Sequence, residues 1–176
     1  PYNISLFSSL VAHHGEEWFE NYIVKLKTNL ARKPQGNDRD QVKAIYAGVC
    51  DLSIGNHYYY FKMMDDPNQV LWLDKVSPIF PNQDNYGTHV NISGIAIIND
   101  ENYDASIDFL DFLLSDEAQE IYANDNNEFP VNPNVSASER VQKLANNAKF
   151  DSTSLEEIAS NRKAVLDILN KINFDG

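Results

Sequence analysis

The sequence predicts an α/β fold, and three observations carry that prediction. Stretches of helical period recur along the chain, short runs rich in β-branched residues stand between them, and the two kinds are interleaved rather than segregated. Across 176 residues, 43% are apolar, 23% charged and 11% aromatic, which is the usage of a folded globular protein. That length is enough to bury one good core or two small lobes.

The chain opens on Pro1, Tyr2 and Asn3 and passes at once into an apolar segment over residues 4–12, with neither Met nor a leader ahead of it. It reads as a chain entered midway. After Gly15, the residues Trp18, Phe19, Tyr22, Ile23, Leu26 and Leu30 recur at three- and four-residue spacing, with Glu16, Glu17, Glu20, Lys25 and Lys27 between them. This spacing predicts an amphipathic helix ending near Ala31. Residues 32–40 (RKPQGNDRD) form a polar loop whose Asn37 or Asp38 caps a helix running through Val42, Ile45 and Tyr46, and Gly48 stops it.

Residues 50–55 (CDLSIG) alternate as a half-buried strand does and deliver residues 56–60 to its C-terminal end, where ligands bind in open α/β sheets. Residues 61–64 continue as helix until Asp65, Asp66 and Pro67 break it. A second strand-like run covers 70–80. The strongest β candidate is 90–98 (VNISGIAII), closed by Asn99 and Asp100. Two helices follow, one through Ile107, Phe109, Leu110, Leu113 and Leu114, the other starting at Ser115 with early acids. The remainder is helical, from Ser138 to about Ala148, and again from Ser154, which stands in capping-box spacing to Glu157.

The net charge of −12 disfavours nucleic acid and anionic membranes and suits a cation, although a solvated acidic surface explains it as well. Cys50 is the single cysteine, so an intrachain disulfide and a cysteine-rich zinc site are both excluded. No stretch is long and apolar enough to span a membrane. Nucleophile elbow, phosphate loop and HExxH are all absent, and the acid pairs around Asp38, Asp40, Asp65 and Asp66 read as solvated turns. His13 and His14 lack the i, i+4 spacing of a helical metal site. Nothing points to an enzyme.

Tyr58, Tyr59 and Tyr60 form the feature that carries chemistry. A strand would alternate three consecutive rings and a helix would fan them by about 100° each, so at least one faces solvent or a cleft. On the residues alone, aromatic packing with one exposed ring is the commoner explanation. The chemical alternative is specific: a phenol of pKa near 10 is a poor ligand for most divalent ions, but a hard, highly charged ion such as Fe(III) displaces its proton.

Three segments bear on the choice: AxxPQGNDRDQVKAIYAGVCDLSIGNHYYY over 31–60, with Arg32 and Lys33 in the open places, FPNQDNYGTHVNISG over 80–94, and FLLSDEAQEIYANDNNEFPVNP over 112–133. In this order they resemble the ferric-ion-binding proteins of bacterial ABC iron importers, which are class II periplasmic binding proteins with two α/β lobes around a cleft. The resemblance implies a C-terminal lobe and an incomplete piece of the N-terminal one. Residues 1–89 would be the main part of the C-terminal lobe, 90–135 a crossing strand and helices belonging to the N-terminal lobe, and 136–176 helices returning to the C-terminal lobe.

The same resemblance assigns Tyr58 and Tyr59 as iron ligands, Tyr2 of the Tyr-Asn-x-Ser-Leu segment as a third, and Tyr60 to packing or a supporting position. Asn56 would help hold a synergistic carbonate or phosphate, with Gly36 and Asn37 in the upstream loop and His57 beside the tyrosines as further candidates. The implied role is periplasmic: Fe(III) is captured and handed to an ABC permease, with remaining ligands from the missing N-terminal lobe. A binding protein for an oxyanion or small organic anion on the same fold is the alternative.

Overall fold

The computed structural model describes residues 2–98 and 100–175. They group into two compact units, the first comprising Pro1–Gly36, Phe80–Ile92 and Ala148–Gly176, the second Asn37–Ile79 and Ser93–Asn147.

The first unit is built on α1 (Tyr2–His14), α2 (Glu16–Thr28), α8 (Leu155–Ser160) and α9 (Arg162–Lys171). Its core joins the two ends of the sequence: Phe7 and Val11 of α1, Phe19 and Ile23 of α2, and Val165 and Ile168 of α9 are buried together. Burying side chains of this size contributes about 1.5–3 kcal/mol each, more than enough to dock short helices that are marginal alone. The end of α9 is satisfied internally. Asn173 takes the left-handed conformation (φ 50°), the N–H of Phe174 donates to the Leu169 carbonyl at 3.0 Å, and Lys27 donates to the Ile172 carbonyl at 2.9 Å. Phe174 then turns onto Phe7, edge to face at 6.3 Å.

Residues 80–92 meet the rest of this unit at an isolated parallel bridge between Thr88 and Phe150, with Gln83 accepting from the Lys149 N–H at 2.7 Å beside it. Thr88 donates to the Lys149 carbonyl and accepts from the Asp151 N–H, both at 2.9 Å. Gly87 permits the approach, because a Cβ there would lie 2.7 Å from the Lys149 carbonyl oxygen and the residue has φ +94°.

The second unit holds α3 (Asp38–Tyr46), α4 (His57–Met64), a 3₁₀ helix (Val70–Lys75), α5 (Tyr103–Leu114), α6 (Asp116–Asp125) and α7 (Glu139–Leu144). Here α3, α4 and the 3₁₀ helix pack on one another, and α5 packs on α6. Gln119 knits the α5–α6 pair to the chain after it: its amide donates to the Leu113 carbonyl and its carbonyl accepts from the Val131 N–H, both at 2.8 Å.

The helices agree with the hydrophobic spacing, whereas the expected strands do not form ladders among the described residues. Residues 50–55 and 90–98 run irregularly, and 70–80 begins as the 3₁₀ helix. A β-branched run becomes a strand only where another strand takes its N–H and C=O groups, and among the described residues none is adjacent to these. Ile98 is accordingly 96% exposed, and Leu52, Ile79 and Ile95 are exposed as well. Asn99, expected to close the 90–98 run, lies outside the described residues. Two helix ends also differ from expectation: α2 stops at Thr28 and α7 at Leu144, the latter just before Asn147 turns left-handed at φ 61°.

Candidate functional site

The tyrosine run lies on a helix, not at a strand's end. Asn56 is extended (φ −88°, ψ 137°) at the N-cap of α4, so Tyr58, Tyr59 and Tyr60 occupy the first turn. All three are half-buried. The rings of Tyr58 and Tyr59 approach to 4.6 Å between centroids at 41°, while Tyr60 sits edge to face with Phe61 at 5.7 Å. Phe61 and Met63 turn inward and anchor the helix.

Asp38 fixes the entry to α4. Its Oδ1 accepts from both the Asn56 backbone N–H at 2.8 Å and the Asn56 amide at 3.1 Å. The fit is close: a Cβ on Gly55 would be 3.2 Å from the same oxygen. Asp38 is the first residue of α3, where a negative charge is favoured by the helix dipole. It is therefore a structural acceptor and not the solvated turn residue that the sequence suggested.

Gly36 is exposed, with φ +78°, and precedes the N-cap Asn37. The Asn37 Oδ1 accepts from the N–H groups of Arg39 at 2.9 Å and Asp40 at 3.3 Å, and the Asp40 carboxylate takes the Asn37 N–H at 2.9 Å. This capping box uses the helix donors that an anion would need.

Two cations flank the paired rings. The Arg39 guanidinium lies 5.7 Å from the Tyr59 ring centroid, and Lys62 Nζ lies 5.7 Å from that of Tyr58. A positive charge there offsets the negative charge that two phenolates would bring. Sequence reasoning missed both. Lys62 follows Tyr58 by four positions, which on a helix means the same face, but the strand reading hid that relation. Nothing local marks Arg39.

His57, the first residue of α4, donates from Nε2 to the Asn127 carbonyl at 2.8 Å, and burial pushes its pKa below the usual value, partly opposed by that hydrogen bond. Its ring leans on Phe129 at 5.2 Å. At the other end of α4, the Asp65 carboxylate receives two parallel bonds from Arg140, at 2.8 and 2.7 Å, and this pairing holds the carboxyl below its ordinary pKa. Asp65 is solvent-exposed, as the turn reading expected, but is paired as well.

Tyr2 begins α1 in the first unit and is 48% exposed. His13 and His14 end the same helix, His13 bonded to Asp151 at 2.9 Å and His14 to the Tyr86 hydroxyl at 3.2 Å. Among the described residues no group of three or more His, Cys, Asp and Glu side chains is arranged to hold a metal.

Residues 36–149 match the family model of a bacterial extracellular solute-binding protein. Iron uptake protein A2 of Synechocystis is 45% identical over 139 residues, covering 76% of this chain and 40% of that protein. The crystal structure of apo ferric ion-binding protein A from Pasteurella haemolytica superposes with a TM-score of 0.94 at 43% identity, over 99% of this chain and 55% of that one. A Trichodesmium protein solved with iron and citrate ligands gives 0.87 at 36% identity, over 98% and 55%. The chain thus spans about half the length of the relatives it matches. The matched family is one of solute-binding proteins. With its sequence matched over α3 to α7 and its path followed almost end to end, the chain belongs to the bacterial extracellular solute-binding protein family and has the class II periplasmic binding fold of the ferric-ion-binding proteins.

Proposed function

We propose that this chain is the iron-gripping part of a periplasmic ferric-ion-binding protein, which captures Fe(III) in an interlobe cleft and delivers it to an ABC permease. Tyr58 and Tyr59 serve as phenolate ligands and Tyr2 as a third. The observation that carries this reading is the pair of phenol rings 4.6 Å apart on one helical turn, with Arg39 and Lys62 beside them. The named activities of the relatives support it.

In the intact protein, residues 1–89 and 136–176 belong to the C-terminal lobe and 90–135 to the N-terminal lobe, which brings the remaining ligands. Closure of the lobes completes the coordination shell, so the ion itself stabilises the closed state. Each phenol surrenders a proton on binding, so affinity falls as the pH is lowered. Carbonate or phosphate completes the shell beside Asn56, with His57 and Tyr60 supporting the tyrosines. Asn37 and Gly36 have the weaker claim, since Asn37 is already committed to capping α3.

Fe(III) added to the intact protein is expected to produce a visible phenolate-to-iron absorption band, lost or shifted in Tyr58→Phe and in Tyr59→Phe. A colourless protein indifferent to iron sinks the proposal. Calorimetric binding of phosphate or citrate in the absence of iron, without any response to iron, would instead establish the anion carrier.

A further inference from the structure

The tyrosines stand on a helix too short to hold itself. At eight residues, α4 is below the roughly 12–15 at which isolated helices become even marginal, and its N-cap Asn56 makes no side-chain capping bond. Its direction must come from its neighbours. Beyond the buried Phe61 and Met63, polar partners meet it at both ends, and they converge on two residues far away in the sequence.

Asn127 lies at the centre. Its carbonyl accepts from His57 at the start of α4, and its side-chain oxygen accepts from Arg140 Nε at 2.5 Å. Arg140 uses its other two nitrogens for the bidentate pair with Asp65, the C-cap residue of α4, and lays its guanidinium 5.2 Å from the Phe61 ring centroid. One side chain thereby touches the helix at its middle and its end, and through Asn127 it is tied to the beginning. Asn127 is 0% exposed, left-handed at φ 59°, and its buried amide nitrogen has no hydrogen-bond partner among the described residues. Conformations of this kind persist only where the surroundings over-determine them, and they concentrate at functional sites.

We propose that Arg140 and Asn127 are positioning residues for the iron ligands, forming a clamp that sets the angle of α4 and so the aim of the Tyr58 and Tyr59 phenols. This rests on the reading that those phenols bind Fe(III). Ligand constellations need their supporting contacts held to about 0.5 Å, and loss of such a contact weakens metal binding by roughly 10–100-fold.

The test uses the intact protein with Arg140→Lys, which keeps the charge but not the fork, and Asn127→Gly, which keeps the left-handed backbone but not the side-chain acceptor. Fe(III) affinity is measured by competition with citrate, the phenolate-to-iron band by absorption, and folding of the iron-free form by circular dichroism and melting. The expected result is affinity about 10-fold or more weaker and a displaced band, with the iron-free fold retained. Asp65→Asn is expected to behave like Arg140→Lys, and the two together no worse than either alone. An unchanged affinity and band overturns the clamp, as does a loss of affinity that merely tracks loss of folded protein with the band in place. Failure of the ligand assignment is separable, because wild type would then show no band or Tyr58→Phe would keep it.

Discussion

Asp151 shows what one buried side chain secures in the first unit. Its carboxylate side chain is 4% exposed and accepts from Ser9 Oγ at 3.0 Å, His13 Nε2 at 2.9 Å, and Thr153 through both Oγ1 at 2.7 Å and N–H at 2.9 Å. Burial by itself would raise its pKa, but the bonds from His13, Thr153 and Ser9 outweigh it and bring the carboxyl down to about 2. Its folded pKa is thus depressed, so its stabilisation is fully present above the ordinary carboxylate value near 3.8 and is lost as the pH falls from there through about 2. Asp151→Ala leaves four donor groups without their acceptor and is expected to cost about 2 kcal/mol at neutral pH. Melting curves from pH 6 to pH 2 check both points, and a variant as acid-sensitive as wild type would refute them. None of this was readable in the sequence, because Ser9 and His13 are 142 and 138 positions from their partner.

At the scale of the element, legibility followed the range of the determining interaction. The start of α3 was legible because Asn37 and Asp40 form their capping box within four residues. Asn37→Ala is expected to lower stability by about 1 kcal/mol, seen as a lower melting midpoint, and no change would mean that packing alone fixes this helix. The start of α4 was not legible. The alternation of 50–55 is genuine, but alternation predicts a strand only if a partner exists, and the helix begins directly after it. What sets that beginning is Asp38 on the Asn56 backbone and Asn127 on His57, at separations of 18 and 70 residues. The tyrosines were found because three in a row are conspicuous; Arg39, Lys62, Asn127 and Arg140 were not, because each acquires meaning only through the fold.

For the molecule as a whole, the distribution of apolar surface matters most. In the second unit Ile95 and Ile98 are exposed in a run composed for a sheet, and Phe109, Phe112 and Leu114 are exposed on α5. Apolar surface gathered in this way marks a face meant to be covered. The 176-residue polypeptide alone is therefore expected to bind a hydrophobic dye and to self-associate, measured by fluorescence and light scattering, whereas the intact protein should do neither. Equal dye binding by both would remove the inference. The α/β class was read from those same runs, which form no ladder among the described residues, while the chain superposes on ferric-binding proteins of which it covers about half.

The buried cluster of the first unit also imposes an order in time. Phe7, Val11, Phe19 and Ile23 find their cover in Val165 and Ile168, with the whole second unit encoded between them. α1 and α2 leave the ribosome before α9, and their apolar faces must then wait, uncovered, while the second unit between them is made. During that interval they are available to any chaperone that holds chains open, and the cluster cannot close until α9 has emerged.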